Sequence, residues 1–286
     1  TANFSSGRLP VRPKGLDRRL PTLGTGKYNW KGFLKQGQHP NDTGGPKGLL
    51  LNWNNRSAPG FMHGDDEPYG SVQRVELFDK VPGKAALANM VGTMNRAATE
   101  DVRSPAWPSI SKVLGSGKAP NARAAQVKTI LDSWVSRDAP RLDADDNGLY
   151  DEAGPTIMDA AWVPMAKAVM RPRLGSVLGP LNEVRSLGSL SGVSYVDKDL
   201  RTLLKQRVRG KFSLRYCGKG KLAACRSSLW KALDGAAAKL AARQGADPAK
   251  WLKRGDRTGF VPGLIKNTFR TTNRPTFQQA LEFDRR

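Results

Sequence analysis

Between residues 85 and 245 apolar side chains recur at three- and four-residue intervals, and that period constrains the fold more than any other feature of the chain. A repeat near 3.6 does not suit the two-residue alternation of a half-buried strand, so the region reads as a series of amphipathic helices. The clearest is NARAAQVKTILDSWV (121–135), with Ala125, Val127, Ile130, Leu131, Trp134 and Val135 on or near one face. Asn121 is its N-cap candidate, a short side chain that can accept from the first turn. Further helices are expected over 71–80, 85–101, 104–116, 154–170, 196–208 and 227–245, the last stopped by Gly245. A short element follows at 247–254, with Pro248 in its first turn. The ends read differently. Residues 1–48 are rich in Pro, Gly and basic residues and read as loop, with a short strand at ANFSS. GLLLNWNN (48–55) reads as a strand running into a Pro-Gly turn, and NTFRTTNRPTFQQALEF (267–283) as one or two terminal strands. The fold class expected is therefore α+β, helix-rich in the middle with a few strands.

Charge is the second constraint. Lys plus Arg is 47 against 25 Asp plus Glu in 286 residues, a formal net charge of +22. From Met165 to Arg286 there are 26 basic and 8 acidic residues (net +18), against 21 and 17 (net +4) before them. Such a basic half suits a binding module for nucleic acid or an anionic surface, and that is the alternative functional reading. Against it, the basic residues are scattered, aromatics are only 7% with no base-stacking pattern, and two Cys with two His cannot build a C2H2 zinc site. No nucleic-acid partner is expected. No apolar run approaches the roughly 18 residues of a membrane span, and TANFSSGRLP has no apolar core of a signal peptide. Cys217 and Cys225 flank a Gly-containing turn and a helix start, which suits a disulfide and hence an exported, extracellular or periplasmic protein.

Two polar stretches are candidates for chemistry. Asp143, Asp145, Asn147, Gly148 and Asp151 occupy positions 1, 3, 5, 6 and 9 of an EF-hand-type loop, but position 12 is Gly154 where a bidentate Glu belongs. The stretch is either a solvated turn or a structural calcium site. Asn52, Asn54 and Asn55 close the 48–55 run. A carboxamide fixed there can donate N–H to an oxyanion without carrying charge, and Asn is equally ordinary turn chemistry.

NWNN, the Pro-Gly loop and the following S-x-x-R resemble the β subunit of penicillin acylases, within the N-terminal nucleophile hydrolases. GRLPVRP, LPTLGTGKYNWKGF, MNRAATEDVR, DADDNGLYDEAGP with its apolar helix, and NRPTFQQALEF look like the same family in the same order. The resemblance implies an αββα sandwich. Residues 1–80 would be a strand and loop segment of the hydrolase core, 81–245 a mainly helical region, and 246–286 a return to the core sheet. It implies an acylase that cleaves a small-molecule acyl amide, such as a β-lactam side chain, an acyl-homoserine lactone or a lipopeptide. The family nucleophile is an N-terminal Ser whose own α-amine is the base. Onto this chain the resemblance carries Asn54 as the oxyanion donor, pointing into a cleft, and Arg74 as the active-site arginine. Asp65 and Asp66 match a loop that holds calcium in some members, and neither is assigned. No catalytic cofactor or metal is expected. The nucleophile is expected upstream of Thr1, making this the C-terminal part of a β subunit. Its partners would be the remainder of that subunit and an α subunit from the same precursor, and the chain by itself would be inactive.

Overall fold

A computed structural model describes residues 2–3, 8–17, 20–44, 48–56, 58, 61, 72–78, 86–184, 186–208, 214–258, 269–270 and 279–281. The chain divides into two units, Thr1–Val75 and Glu76–Arg286.

In the first unit, β1 (Ala2–Asn3) pairs antiparallel with β2 (Asn41–Asp42), with Ala2 opposite Asp42. The expected strand at ANFSS is thus present at Ala2–Asn3, and its residues 4–6 lie outside the described residues. A short helix, α1 (Val72–Val75), ends the unit. The expected strand over 48–55 is not formed. Its backbone N–H groups are taken by neighbouring carboxamides instead: Asn54 N donates to Asn52 Oδ1 (3.1 Å) and Trp53 N to Asn55 Oδ1 (2.8 Å). Side-chain to backbone bonds of this kind compete directly with a sheet ladder.

The second unit carries the helical period. Its helices are α2 (Leu87–Thr99), α3 (Trp107–Gly115), α4 (Ala122–Ser136), α5 (Gly154–Leu174), α6 (Leu178–Val184), α7 (Leu190–Leu203) and α8 (Leu222–Gln244). β3 (Arg257–Thr258) pairs antiparallel with β4 (Phe269–Arg270), so part of the expected terminal strand is present. Most of 271–286 lies outside the described residues. In α4, Asn121 Oδ1 accepts from Ala124 N at 2.9 Å, and Val127, Leu131 and Trp134 are fully buried one helical turn apart. α5 is the central helix. It buries Ile157, Met158, Ala161, Trp162, Met165, Ala166 and Val169 and packs along α8, which buries Cys225, Leu229, Leu233 and Ala237. α5 runs on past the expected end through Pro172 to Leu174, and α7 stops at Leu203, earlier than the period suggested.

Two close approaches dictate glycine. A Cβ on Gly154 would lie 2.3 Å from the Trp134 ring, and one on Gly192 would lie 2.0 Å from the Leu187 carbonyl oxygen. Five buried indoles of the second unit are satisfied: Trp107 donates to Asp132 (2.8 Å), and Trp134, Trp162, Trp230 and Trp251 donate to the carbonyls of Pro140, Leu187, Leu114 and Gly245. An indole can therefore be buried here without stranding its N–H.

Cys217 and Cys225 form the expected disulfide, with Cα atoms 4.9 Å apart. Asp199 on α7 holds its near edge, accepting from Tyr216 N (2.7 Å) and Cys217 N (2.9 Å). Burial pushes the Asp199 carboxyl above its ordinary range, and the two backbone donors only partly offset it. The bridge closes a short loop onto the first turn of α8. Replacing both cysteines by alanine is expected to lower stability by about 2.5 kcal/mol on loop-closure entropy alone. Urea unfolding of the oxidised protein and of the double variant measures this directly, and equal midpoints would show that the bridge contributes nothing.

Candidate active-site segment

The residues carried by the NWNN run sit on a tight turn. Trp53 is only 2% exposed, and next to it Asn54 takes a left-handed backbone (φ 63°) with its side chain exposed. Asn is one of the few residues with a side chain that tolerates this region. The paired carboxamide bonds from Asn52 and Asn55 hold the turn on both sides. Arg74 comes from the last turn of α1. Its guanidinium lies 4.5 Å from the centre of the Trp53 ring and donates from Nη1 to Asn54 Oδ1 at 3.3 Å. The two residues singled out from sequence, twenty positions apart, therefore meet.

That contact has a chemical consequence. A guanidinium offers donors and no acceptor, so the atom of Asn54 facing it must be the carboxamide oxygen. The Nδ2 group is then turned away from Arg74 and has no hydrogen-bond partner among the described residues. The arrangement presents a neutral N–H donor whose orientation is set by a cation on its far side. In this chain the group is open to solvent rather than enclosed. His63, Asp65 and Asp66 and the residue at position 1 lie outside the described residues.

In the second unit an ionic network draws together side chains that sequence reading did not connect. Asp101 is fully buried between two arginines: Arg103 donates from Nε to its Oδ1 (2.7 Å) and Arg141 from Nη1 to its Oδ2 (2.9 Å). Arg141 also reaches Asp159 on α5 (3.0 Å) and Asp256 (2.9 Å), and Lys253 reaches Asp159 (2.8 Å). The Arg141 guanidinium lies 4.8 Å from the centre of the Tyr150 ring. Three cations face three anions, so the cluster is neutral. Burial alone would raise Asp101, but Arg103 and then Arg141 more than reverse it and hold the carboxyl below its ordinary range. Asp159 is likewise held far down, chiefly by Arg141 and Arg103 against the effect of burial. The network lines one wall of an open cavity of about 230 Å³ bordered also by Thr99 and Gly188. It ties the start of α3, the α4–α5 connection, α5 and the 253–256 segment into one unit. Asp101 and Arg103 lie in MNRAATEDVR, singled out only for its family resemblance, and nothing in that stretch points to their distant partners.

The penicillin amidase family profile matches residues 1–277. Penicillin G acylase of Escherichia coli is 25% identical over 167 residues, which is 57% of this chain and 19% of that enzyme. A solved thermostable penicillin G acylase from Alcaligenes faecalis superposes with a TM-score of 0.64 at 20% identity, over 94% of this chain and 52% of that one. The chain thus spans about half the length of that solved relative, and it shares its fold. With a family match over nearly its whole length, this chain belongs to the penicillin amidase family.

Proposed function

We propose that this chain supplies the oxyanion-donor segment of an amide hydrolase that removes an acyl group from an amine. The observation that carries the reading is the Arg74–Asn54 contact, which turns the Asn54 carboxamide so that N–H points outward. In the proposed reaction an N-terminal Ser hydroxyl, on sequence outside this chain, attacks the amide carbonyl while its own α-amine takes the proton. Asn54 Nδ2 donates to the oxygen as it becomes negative, where a fixed neutral dipole lowers the barrier without needing to reorganise. Collapse expels the amine with that proton and leaves an acyl-enzyme, which water then attacks by the same route to release the acid. Arg74 acts through Asn54 as a positioning residue. Its stacking on Trp53 keeps its charge off the oxyanion itself.

The rest of the reading follows from the family. The chain would be the C-terminal part of a β subunit, contributing to an αββα sandwich whose other strands and nucleophile lie in the remainder of that subunit, with an α subunit alongside. The substrate class is a small acyl amide: a β-lactam side chain, an acyl-homoserine lactone or a lipopeptide. The disulfide supports an exported protein.

The test separates the chain from the assembly. The purified 286-residue chain is expected to release no 4-nitroaniline from a panel of acyl-4-nitroanilides, whereas the complete enzyme turns over. A sulfonyl fluoride is expected to label the N-terminal residue of another segment and to leave this chain's mass unchanged. Turnover by the chain alone, or label on Thr1, would overturn the division of labour.

A further inference from the structure

The acidic loop between α4 and α5 is independent of the proposed acyl-transfer segment. Asp143, Asp145 and Asp151 bring one carboxylate oxygen each within 4.8 Å of one another. None of the three has a cationic partner among the described residues. Like charges at that spacing repel. Hydrogen bonds reach every one of their oxygens but Asp143 Oδ1: Asp151 accepts from Ala144 N at both oxygens (3.0 and 3.2 Å), Asp145 from Asn147 N (3.3 Å) and Nδ2 (2.8 Å), and Asp143 Oδ2 from Gly148 N (3.2 Å).

The decisive atom is Asp143 Oδ1. Asp143 is 4% exposed, and this oxygen is buried with no hydrogen-bond partner. A carboxylate oxygen shut away from water is costly unless a donor or a counter-charge meets it. It belongs to the residue at position 1 of the loop, whose carboxylate faces those of positions 3 and 9. We propose that Asp143, Asp145 and Asp151 bind a calcium ion through a shortened EF-type loop, with Asn147 and the Leu149 carbonyl at positions 5 and 7 as the further oxygen donors.

The chemistry favours calcium among divalent ions. All donors are hard oxygens on a flexible loop, and no thiolate or imidazole is present in the set. The loop lacks the bidentate acid of a full EF-hand for a steric reason. Position 12 is Gly154, where any side chain would enter the Trp134 ring. Glu152, the nearest alternative, is instead paired with Arg137. The site is therefore at the weak end of calcium loops, with a Kd on the order of 10⁻⁴–10⁻³ M, filled at extracellular but not at cytosolic calcium. Its place gives it a role. The loop opens α5 at Gly154 and is stitched to the 253–255 segment by Tyr150 N to Lys253 O (2.9 Å) and Gly255 N to Gly148 O (3.1 Å). A bound ion would clamp the C-terminal segment to the central helix.

Calorimetric titration of the chelator-treated protein with calcium chloride, alongside thermal melts, tests the assignment. One calcium per chain is expected at this site, with the melting temperature rising by about 3 °C at roughly ten times Kd. Asp145→Asn, an exposed substitution, is expected to weaken binding roughly tenfold or more by removing a charged ligand. Without calcium the same variant should melt no lower than the parent, because it relieves repulsion, and this outcome excludes simple misfolding. Absence of binding at about 10 mM calcium would overturn the proposal. So would calcium binding unchanged in Asp145→Asn, which would place the ion elsewhere, or an equal response to magnesium.

Discussion

Asn54→Ala and Asn54→Gly, each introduced into the complete enzyme, are expected to lower kcat by about 10²–10³-fold with KM little changed, as for loss of one oxyanion donor. Two variants are needed because Asn54 sits at φ 63°. Alanine is strained there and glycine is not, so alanine alone would mix a lost donor with a distorted turn. If both fall alike, the loss belongs to the carboxamide. If glycine retains parental turnover, Asn54 is only a turn residue and the proposed donor role fails. Folding should survive in both, since the side chain is exposed and its one hydrogen bond among the described residues is the one it accepts from Arg74. Arg74→Lys is the natural companion. It keeps a charge near Asn54 but loses the planar fork that can stack on Trp53 and donate sideways at once. A fall in kcat there, smaller than for Asn54, fits a residue that acts through its neighbour.

The largest stability loss is expected at Asp101. Removing its carboxylate in Asp101→Ala takes the fully buried anion from Arg103 and Arg141 and leaves them only the more exposed Asp159 and Asp256, a class of change that costs about 3–5 kcal/mol. Chemical denaturation should show the loss as a lower midpoint with the slope little changed. A loss under about 0.5 kcal/mol would mean that Asp159 and Asp256 alone satisfy both arginines. The pH dependence has a definite sign. Asp101 and Asp159 have folded-state pKa values below their ordinary ones. Their contribution is therefore fully present above the unfolded carboxylate value of about 4 and is lost as pH falls below it. The parent protein should hold its melting temperature from near neutrality down to about pH 5 as far as this network is concerned, then lose it steeply in more acid solution. Asp101→Ala should start lower and fall less steeply, since the group that must be protonated is already gone.

The ionic network and the NWNN turn mark where sequence reading ends. Asp101, Arg103, Arg141, Asp159, Lys253 and Asp256 span more than half the chain, and no local pattern links them. The 48–55 run has the apolar content of a strand, yet two of its asparagines, Asn52 and Asn55, supply oxygens that capture its backbone N–H groups. Strand pairing needs a partner at a distance, whereas those carboxamides are adjacent.

The helices expected over 85–101, 104–116, 121–135 and 154–170, found at 87–99, 107–115, 122–136 and 154–174, could be read along the chain to within a turn, as could the Asn121 cap, the Gly245 stop and the Cys217–Cys225 bridge. Each depends on residues within a few positions of one another, and a helical period or a short loop closure is a local property. The meeting of Arg74 with Asn54, the neutral buried network around Asp101, the need for glycine against Trp134 and the orphaned oxygen of Asp143 could not. Those depend on which distant side chains packing brings face to face, and the free energy of a charge or a carboxamide is set by such neighbours rather than by its place in the chain.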